Sequence, residues 1–494
     1  MTDVRAPLAP LKGRVGALVA QARATYNGHP EHEATLAALE ARLDEPLRVA
    51  IAGRVKSGKS TLLNALVGQP LAATDAAECT RVVTWYRHGR QYKAYVQRRS
   101  GELEQVQLER TADAVEVDLG GREVDSLERI VVEWPASLLE SMTLVDTPGL
   151  GSLSTAVSER AVEFLAPEDS ASSADAVVYL ARHLHGQDVR FLEAFHDEDA
   201  GKPNPVNAVG VLARADEIGG CRLDALEAAA RVTDRYRTDH HVRRLCQTVV
   251  PVAGLLAQGS TLLSEAEYRA LGRLAEVDHD AAEAVLLSTD RFASRPARVD
   301  LATEEREHLL GLLGLFGVRL AVDLLRRGEV RSAPELATAL TRRSGLNDLR
   351  WVLATQFAGR AELLKARAAL SVLDRVLRSE PPSDGGALAG AVEEVEANAH
   401  ELAELRLLVA LRSGGVELSE DEAAEVELLV ERAARPPAAR LGLESEADRA
   451  QVQDAVVTAV ERWRRRAEHP LAAPELVAAA QVVQRSYEGM LLAT

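Results

Sequence analysis

Apolar positions change period along this chain, and the change divides it. From about Leu11 to Leu43, Ala and Leu recur at helical spacing, broken once by Asn27-Gly28-His29-Pro30, which predicts one or two helices. From Leu47 onward short continuous apolar runs take over: Leu47 to Ala52, Val82 to Tyr86, Ile130 to Trp134, Met142 to Val145, Ala176 to Leu180, Val209 to Leu212 and Thr248 to Val252. Such runs, separated by helical stretches, predict strands of a mostly parallel sheet with helices on both faces. Past about Gly254 the pattern is helical to Thr494, with breaks at Pro381-Pro382-Ser383-Asp384-Gly385-Gly386 and Ser413-Gly414-Gly415. The expected architecture is an α/β domain over 47–355 joined to an elongated α-helical bundle over 356–494, with the N-terminal helices of 1–46 joining the bundle.

Composition narrows what such a chain can do. The 494 residues carry 58 Lys+Arg against 75 Asp+Glu, a formal net charge of −17. That excess argues against broad electrostatic binding to nucleic acid or to anionic lipid, and no nucleic-acid partner is expected. The stretch Arg326 to Arg378 is rich in basic residues and Asp384 to Glu427 in acidic ones, so a local basic face and ordinary solvated helix faces are both open. Cys79, Cys221 and Cys246 fit no zinc or disulfide spacing, which predicts a reducing, cytoplasmic setting. The first residues show no secretory h-region. The most apolar stretch, Gly311 to Leu325, is interrupted by Arg319 and Asp323, so any membrane contact is expected to be peripheral.

Gly53-Arg54-Val55-Lys56-Ser57-Gly58-Lys59-Ser60 fits the phosphate-loop pattern G-x-x-x-x-G-K-[ST] without mismatch, between a predicted strand and a helix start at Thr61. This geometry wraps backbone N–H groups around phosphates at a helix N-terminus. Lys59 is expected at the β/γ-phosphates and Ser60 on Mg²⁺. Asp146-Thr147-Pro148-Gly149 follows the strand ending at Val145, where a D-x-x-G element belongs. There Asp146 would hold Mg²⁺ through water and the Gly149 N–H would sense the γ-phosphate. Thr80, just before the strand Val82 to Tyr86, is the candidate for a second hydroxyl on Mg²⁺, with Thr74 as its competitor.

Ala213-Arg214-Ala215-Asp216 stands at the end of another strand, where GTPases carry [NT]-K-x-D. Asp216 can accept from guanine N1–H and N2–H₂, donors that adenine lacks, and Arg214 can pack on a base as a planar cation. Ala253-Gly254 ends the last strand, where a base-contacting turn would lie. GTP and GDP are therefore the expected ligands. Leu150 follows Gly149, so the water-orienting glutamine of small GTPases is absent, and the stretch from Lys59 to Asp146 holds an insertion, Gln91 to Glu128.

Together these motifs resemble the dynamin superfamily of large GTPases, within it the actinobacterial isoniazid-inducible type. The glycine-led Ser344-Gly345-Leu346, running into Trp351 to Ala369, is similar to the helix that closes a dynamin GTPase domain. The resemblance implies GTP hydrolysis with Mg²⁺, self-association through GTPase domains, and lipid contact on the inner face of the plasma membrane. It also raises a paired dynamin-like homologue as a partner. A soluble GTP switch acting on RNA, ribosome or protein remains the alternative. Many dynamins carry Gln-Ser in the middle of the phosphate loop; here Val55-Lys56 stands instead. Lys56 is a candidate cation beside the γ-phosphate or, equally, a solvated lysine at the loop rim. For lipid, Leu408, Leu411 and Arg412 in the run Leu407 to Arg412 are candidates, against ordinary bundle core. Arg462-Trp463-Arg464-Arg465-Arg466 is a second basic and aromatic candidate. His183, His185, His196 and Asp188 look metal-like, but their spacing builds no ligand set on one helix face.

Overall fold

The computed structural model describes residues 10–72, 82–98, 100–110, 115–119, 122–123, 126–148, 174–184, 186–195, 205–294, 300–381, 386–433, 435–444 and 447–493. Its strands are β1 (Leu47–Gly53), β2 (Val83–His88), β3 (Lys93–Arg98), β4 (Leu103–Val106), β5 (Leu108–Arg110), β6 (Val115–Val117), β7 (Leu127–Trp134), β8 (Met142–Asp146), β9 (Ala176–Ala181), β10 (Ala208–Ala213) and β11 (Val249–Val252). Nine of them form one sheet in the order β11-β10-β9-β1-β8-β2-β7-β3-β4, while β5 and β6 pair separately. β8, β1, β9, β10 and β11 run parallel, and β2 enters antiparallel to β8. The insertion after β2 extends the far edge with β3 antiparallel to β7 and to β4.

The continuous apolar runs of the central strands follow from burial on both faces. In β1, Leu47, Val49 and Ile51 enter one core, and Ala50 and Ala52 the other. β9 divides in the same way, with Ala176, Val178 and Leu180 opposite Val177, Tyr179 and Ala181. A third core joins helices Gly254–Leu262, Glu265–Glu276, Thr303–Arg326 and Ala333–Arg343. Helix Thr303–Arg326 is long and apolar enough to cross a membrane by length and composition, contrary to the expectation from Arg319 and Asp323. In the fold it is the central helix of this core, with Leu309, Leu313, Phe316, Val318 and Leu324 buried.

The N-terminal helices, Leu11–Thr25 and Pro30–Asp44, pack with Ala361–Ser379 and Ala387–Asn398 in a fourth core. Polar contacts tie that core to the sheet and hold its own helices together. Arg42 pairs with the buried Asp175 at 2.7 Å, and Asp175 also accepts the Arg48 N–H at 2.8 Å. Lys365 donates to the carbonyls of Leu43 and Glu45 at 2.8 and 2.7 Å, meeting the exposed end of the second helix.

Helices His400–Arg412, Glu420–Glu431, Arg449–Ala467 and Pro474–Ala493 complete the helical part. The expectation of lipid contact at Leu408, Leu411 and Arg412 is not met here. Leu408 is fully buried, Leu411 is buried, and Arg412 is 4% exposed and paired with Glu427 and Glu431. The apolar surplus of that helix is consumed by packing against its neighbours, not by a surface. In the basic run around Trp463, Trp463 itself is buried, and Arg462, Arg464 and Arg466 pair with Glu425, Glu488 and Glu422, leaving Arg465 exposed.

Candidate functional site

All described motif residues converge on the carboxyl edge of the parallel strands, the place where open α/β sheets bind ligands. β1 ends in Gly53 at φ 150°, where a Cβ would lie 2.5 Å from the Leu180 carbonyl oxygen. Only glycine lets the chain turn out of the sheet against β9 there. The loop continues through Lys56 at φ 61° to Gly58 at φ 98°, the left-handed cap of helix Lys59–Val67. The first helical bond shown there is Leu62 N–H to the Gly58 carbonyl, so the N–H groups of Lys59, Ser60 and Thr61 face the loop's concavity. Arg54, Val55 and Lys56 are exposed at the rim, while Ser57 is buried with an Oγ that has no partner among the described residues.

Lys59 Nζ lies 3.2 Å from the Gly53 carbonyl and 3.4 Å from that of Arg54. Burial lowers its pKa, opposed by the charge of Asp146. Asp146, the last residue of β8, has an Oδ1 sealed from solvent with no partner among the described residues. Burial pushes its carboxyl up to about 6, with Lys59 pulling the other way. A sealed, unpartnered carboxylate oxygen and a desolvated ammonium within reach of each other's charge are a donor set that fits Mg²⁺ and phosphate. Thr147 locks this element to the phosphate loop, its Oγ1 donating to the Ile51 carbonyl at 3.0 Å. The register Thr84 to Asp146 puts the start of β2 at the same edge. Thr80, Thr74, Arg81, Gly149 and Leu150 lie outside the described residues, as do His185 and His196. Among the described residues no metal-like cluster forms, and Asp188 is instead buried, accepting from the Tyr179 hydroxyl at 2.6 Å.

The base-side residues come from β10 and β11. Asp216 is 7% exposed, and burial pushes its carboxyl up to about 6. Arg214, at φ 55°, donates to Glu217 Oε1 at 2.7 Å and to the Lys56 carbonyl at 3.1 Å, so its stem spans from the base motif to the phosphate loop. Ala253 is fully buried, its N–H held by the Ser344 carbonyl at 2.9 Å, and Gly254 lies against Thr61.

Several supporting residues escaped sequence reasoning. Fully buried Asn64 donates to the Ala72 carbonyl at 2.9 Å and accepts the N–H groups of Leu71 and Ala72 at 2.8 and 2.7 Å. It thereby fixes the chain entering the stretch that carries Thr80. Arg350 donates to the carbonyls of Ala65 and Leu66, closing the C-terminal end of the phosphate-loop helix. Gly345, at φ 79°, sits so close to β11 that a Cβ would lie 2.0 Å from the Pro251 oxygen. The glycine before Leu346 was the one visible signal of that approach.

The arrangement is that of a P-loop nucleotide-binding domain. Residues 49–208 match the model of the dynamin family. Over 484 residues the chain is 38% identical to the isoniazid-induced protein IniC of Mycobacterium tuberculosis, covering 97% of this chain and 98% of that protein. The isoniazid-induced protein IniA of the same organism is 29% identical over 209 residues, 35% of this chain and 32% of IniA. A bacterial dynamin-like protein of Nostoc punctiforme is 34% identical over 115 residues, 21% of this chain and 16% of that protein. A solved oligomerised bacterial dynamin pair aligns over 99% of this chain and 81% of its own, at 12% identity and a TM-score of 0.33, too low to bear on the fold. The chain belongs to the dynamin family of GTPases, on its IniC-like side.

Proposed function

We propose that this protein hydrolyses GTP to GDP and phosphate, coupled to dimerisation of its GTPase domains and to remodelling of a membrane that it contacts from the cytoplasmic face. The observation that carries the reading is a whole-length match to a dynamin-family protein together with an unbroken phosphate loop whose lysine feels the charge of the sealed Asp146 carboxyl. The functional units are proposed as 1–46, 47–355 and 356–494, with the first and last acting as one helical arm.

In this reading the N–H groups from Gly53 to Thr61 hold the phosphates and Lys59 places a cation on the β/γ oxygens. Ser60, Asp146 and Thr80 are the residues that would hold Mg²⁺, which when bound neutralises phosphate charge. Desolvated Lys59 is worth more to a charge developing in the transition state than it would be in water. Gly149 senses the γ-phosphate, and Lys56, exposed at the loop rim, is set to reach it once a second protomer closes over the site. Asp216 selects guanine, with Arg214 and the Ala253-Gly254 turn against the base.

The test is GTP turnover at rising protein concentration, with and without anionic liposomes. Turnover per molecule should rise with both and vanish in Lys59→Ala. Flat turnover without liposome binding would favour the soluble switch.

A further inference from the structure

Helix Thr303–Arg326 is not continuous. Gly314 breaks it at φ 69° and ψ 171°, a conformation open essentially to glycine alone. The break lies against the base side of the nucleotide site. A Cβ at Gly314 would stand 3.3 Å from Leu255 Cδ2, beside the Ala253-Gly254 turn, and 3.9 Å from Asp216 Oδ2. Two residues earlier the helix is pressed on helix Gly254–Leu262 backbone to backbone, since a Cβ at Gly259 would lie 2.0 Å from the Leu312 carbonyl oxygen.

The same helix carries Arg319, whose guanidinium ends on four carbonyls. Nε and Nη2 donate to Leu286 at 2.9 and 2.6 Å, Nη2 also to Leu287 at 3.2 Å, and Nη1 to Gly220 at 3.2 Å and to Cys221. Among the described residues no carboxylate pairs with it. The Gly220 and Cys221 carbonyls belong to the loop that leaves Asp216, and Gly219, Gly220 and Cys221 all have positive φ, at 70°, 79° and 58°. Glycine reaches such angles freely, so the strain lies at Cys221, which holds its φ of 58° only because the surroundings fix it. The loop is close to the acid it follows: burial, then the charge of Asp216, raises the Cys221 thiol above its ordinary value.

We infer that the broken helix Thr303–Arg326 is the back wall of the base site, with Gly314 and Arg319 as positioning residues that hold Asp216 and its loop in register for guanine. This rests on the reading of Asp216 as the guanine acceptor. Gly314 supplies the backbone break that sets the wall at van der Waals distance from the carboxylate, and Arg319 ties the Asp216 loop to the turn at Leu286-Leu287. A lysine, with a point ammonium in place of a planar fork, can serve only part of that carbonyl set.

The experiment measures competition of GTP, inosine triphosphate and ATP against a fluorescent GTP analogue in the full chain. The proteins are wild type, Gly314→Ala, Arg319→Ala, Arg319→Lys and Asp216→Asn, with steady-state kcat and KM and a melting curve for each. In folded Gly314→Ala and Arg319→Ala the preference for GTP over ATP should fall by about tenfold or more and KM should rise. kcat at saturating GTP should stay within about threefold, and Arg319→Lys should recover part of the preference. An unchanged preference in both folded variants overturns the inference if Asp216→Asn abolishes it. If Asp216→Asn also leaves it unchanged, the failure lies in the assignment of the guanine acceptor. Should Gly314→Ala not fold, Arg319→Ala is decided by site-resolved alkylation as well. Cys221 should react faster than in wild type, with buried Cys246 as the internal reference, and an unchanged Cys221 rate counts against the tie.

Discussion

Asp216 and Asp146 are carboxyls whose burial costs are larger than their nearby compensation, and that sets their pH behaviour. Each has a folded pKa of about 6, above the ordinary carboxylate value. The folded nucleotide-free protein therefore binds their protons more tightly than the unfolded chain does. These two groups favour folding at low pH, and that contribution is lost as pH rises through about 6. Nucleotide binding runs the other way, because guanine N–H donors and Mg²⁺ both require the ionised form. GTP affinity should be flat above about pH 7 and fall below about pH 6, with a limiting slope of about two protons. In Asp216→Asn the slope should drop to about one, and guanine preference should fall on the order of 10²-fold through loss of two charge-assisted hydrogen bonds. Titration calorimetry with GTP and GDP across that range checks both, and a slope unaltered by the substitution would remove Asp216 from the base site. Lys59→Ala should reduce turnover by on the order of 10²-fold or more with the fold intact, measured by phosphate release.

At the scale of elements, the site stands on a few long-range contacts. Asn64 satisfies one carbonyl and two N–H groups in a fully buried position, so Asn64→Ala leaves three backbone groups without partners. A loss of about 2–4 kcal/mol is expected, read by denaturant unfolding, and added GTP should recover little of it. Gly345→Ala forces a Cβ against the Pro251 carbonyl at positive φ. It should lower the melting temperature and weaken guanine binding together, because Ser344 holds Ala253. The sequence makes the strands and the phosphate loop readable, because they are local: Leu47 to Ser60 carries strand, turn and helix start within one window. The placing of Asp146 at the end of β8 and of Asp216 just past β10 was readable from their positions after apolar runs. Asn64, Arg350, Arg319 and the link from Arg214 to the Lys56 carbonyl were not, because each is a pair contact whose partner pattern cannot mark. Leu408 and Leu411 stayed open between lipid and bundle core for the opposite reason: an apolar run looks alike whether it meets lipid or another helix, and the packing of Glu420–Glu431 and Pro474–Ala493 against it settles it as core.

Across the whole molecule, a polar junction between the short helix His240–Leu245 and helix Glu420–Glu431 joins the nucleotide side to the helical part. Arg243, on the short helix His240–Leu245, pairs with Glu427 of helix Glu420–Glu431. Glu427 also faces Arg412 at 3.6 Å, and Arg412 pairs with Glu431 at 2.5 Å. Arg360, whose burial lowers its pKa to about 10, donates to the Val430 carbonyl of the same helix. Arg412 and Arg360 are buried charges and so hold their own helices in a fixed arrangement, since removing one partner of a buried pair leaves the other uncompensated. Arg243 and Glu427 are more exposed, and their direct contribution to stability is on the order of 1 kcal/mol or less. They are the most exposed pair of that network, and in the proposed function they are the joint at which the helical arm is expected to respond to GTP. Arg243→Ala, Glu427→Ala and the double variant form a cycle across that link. Basal turnover at low protein concentration should stay within about twofold of wild type, since neither residue touches the nucleotide site. Stimulation by concentration and by liposomes should fall in each single variant, and the double should be no worse than the more affected single. Full stimulation in all three would make the junction passive and move the coupling to the N-terminal helices, where Arg42 and Asp175 supply another bridge.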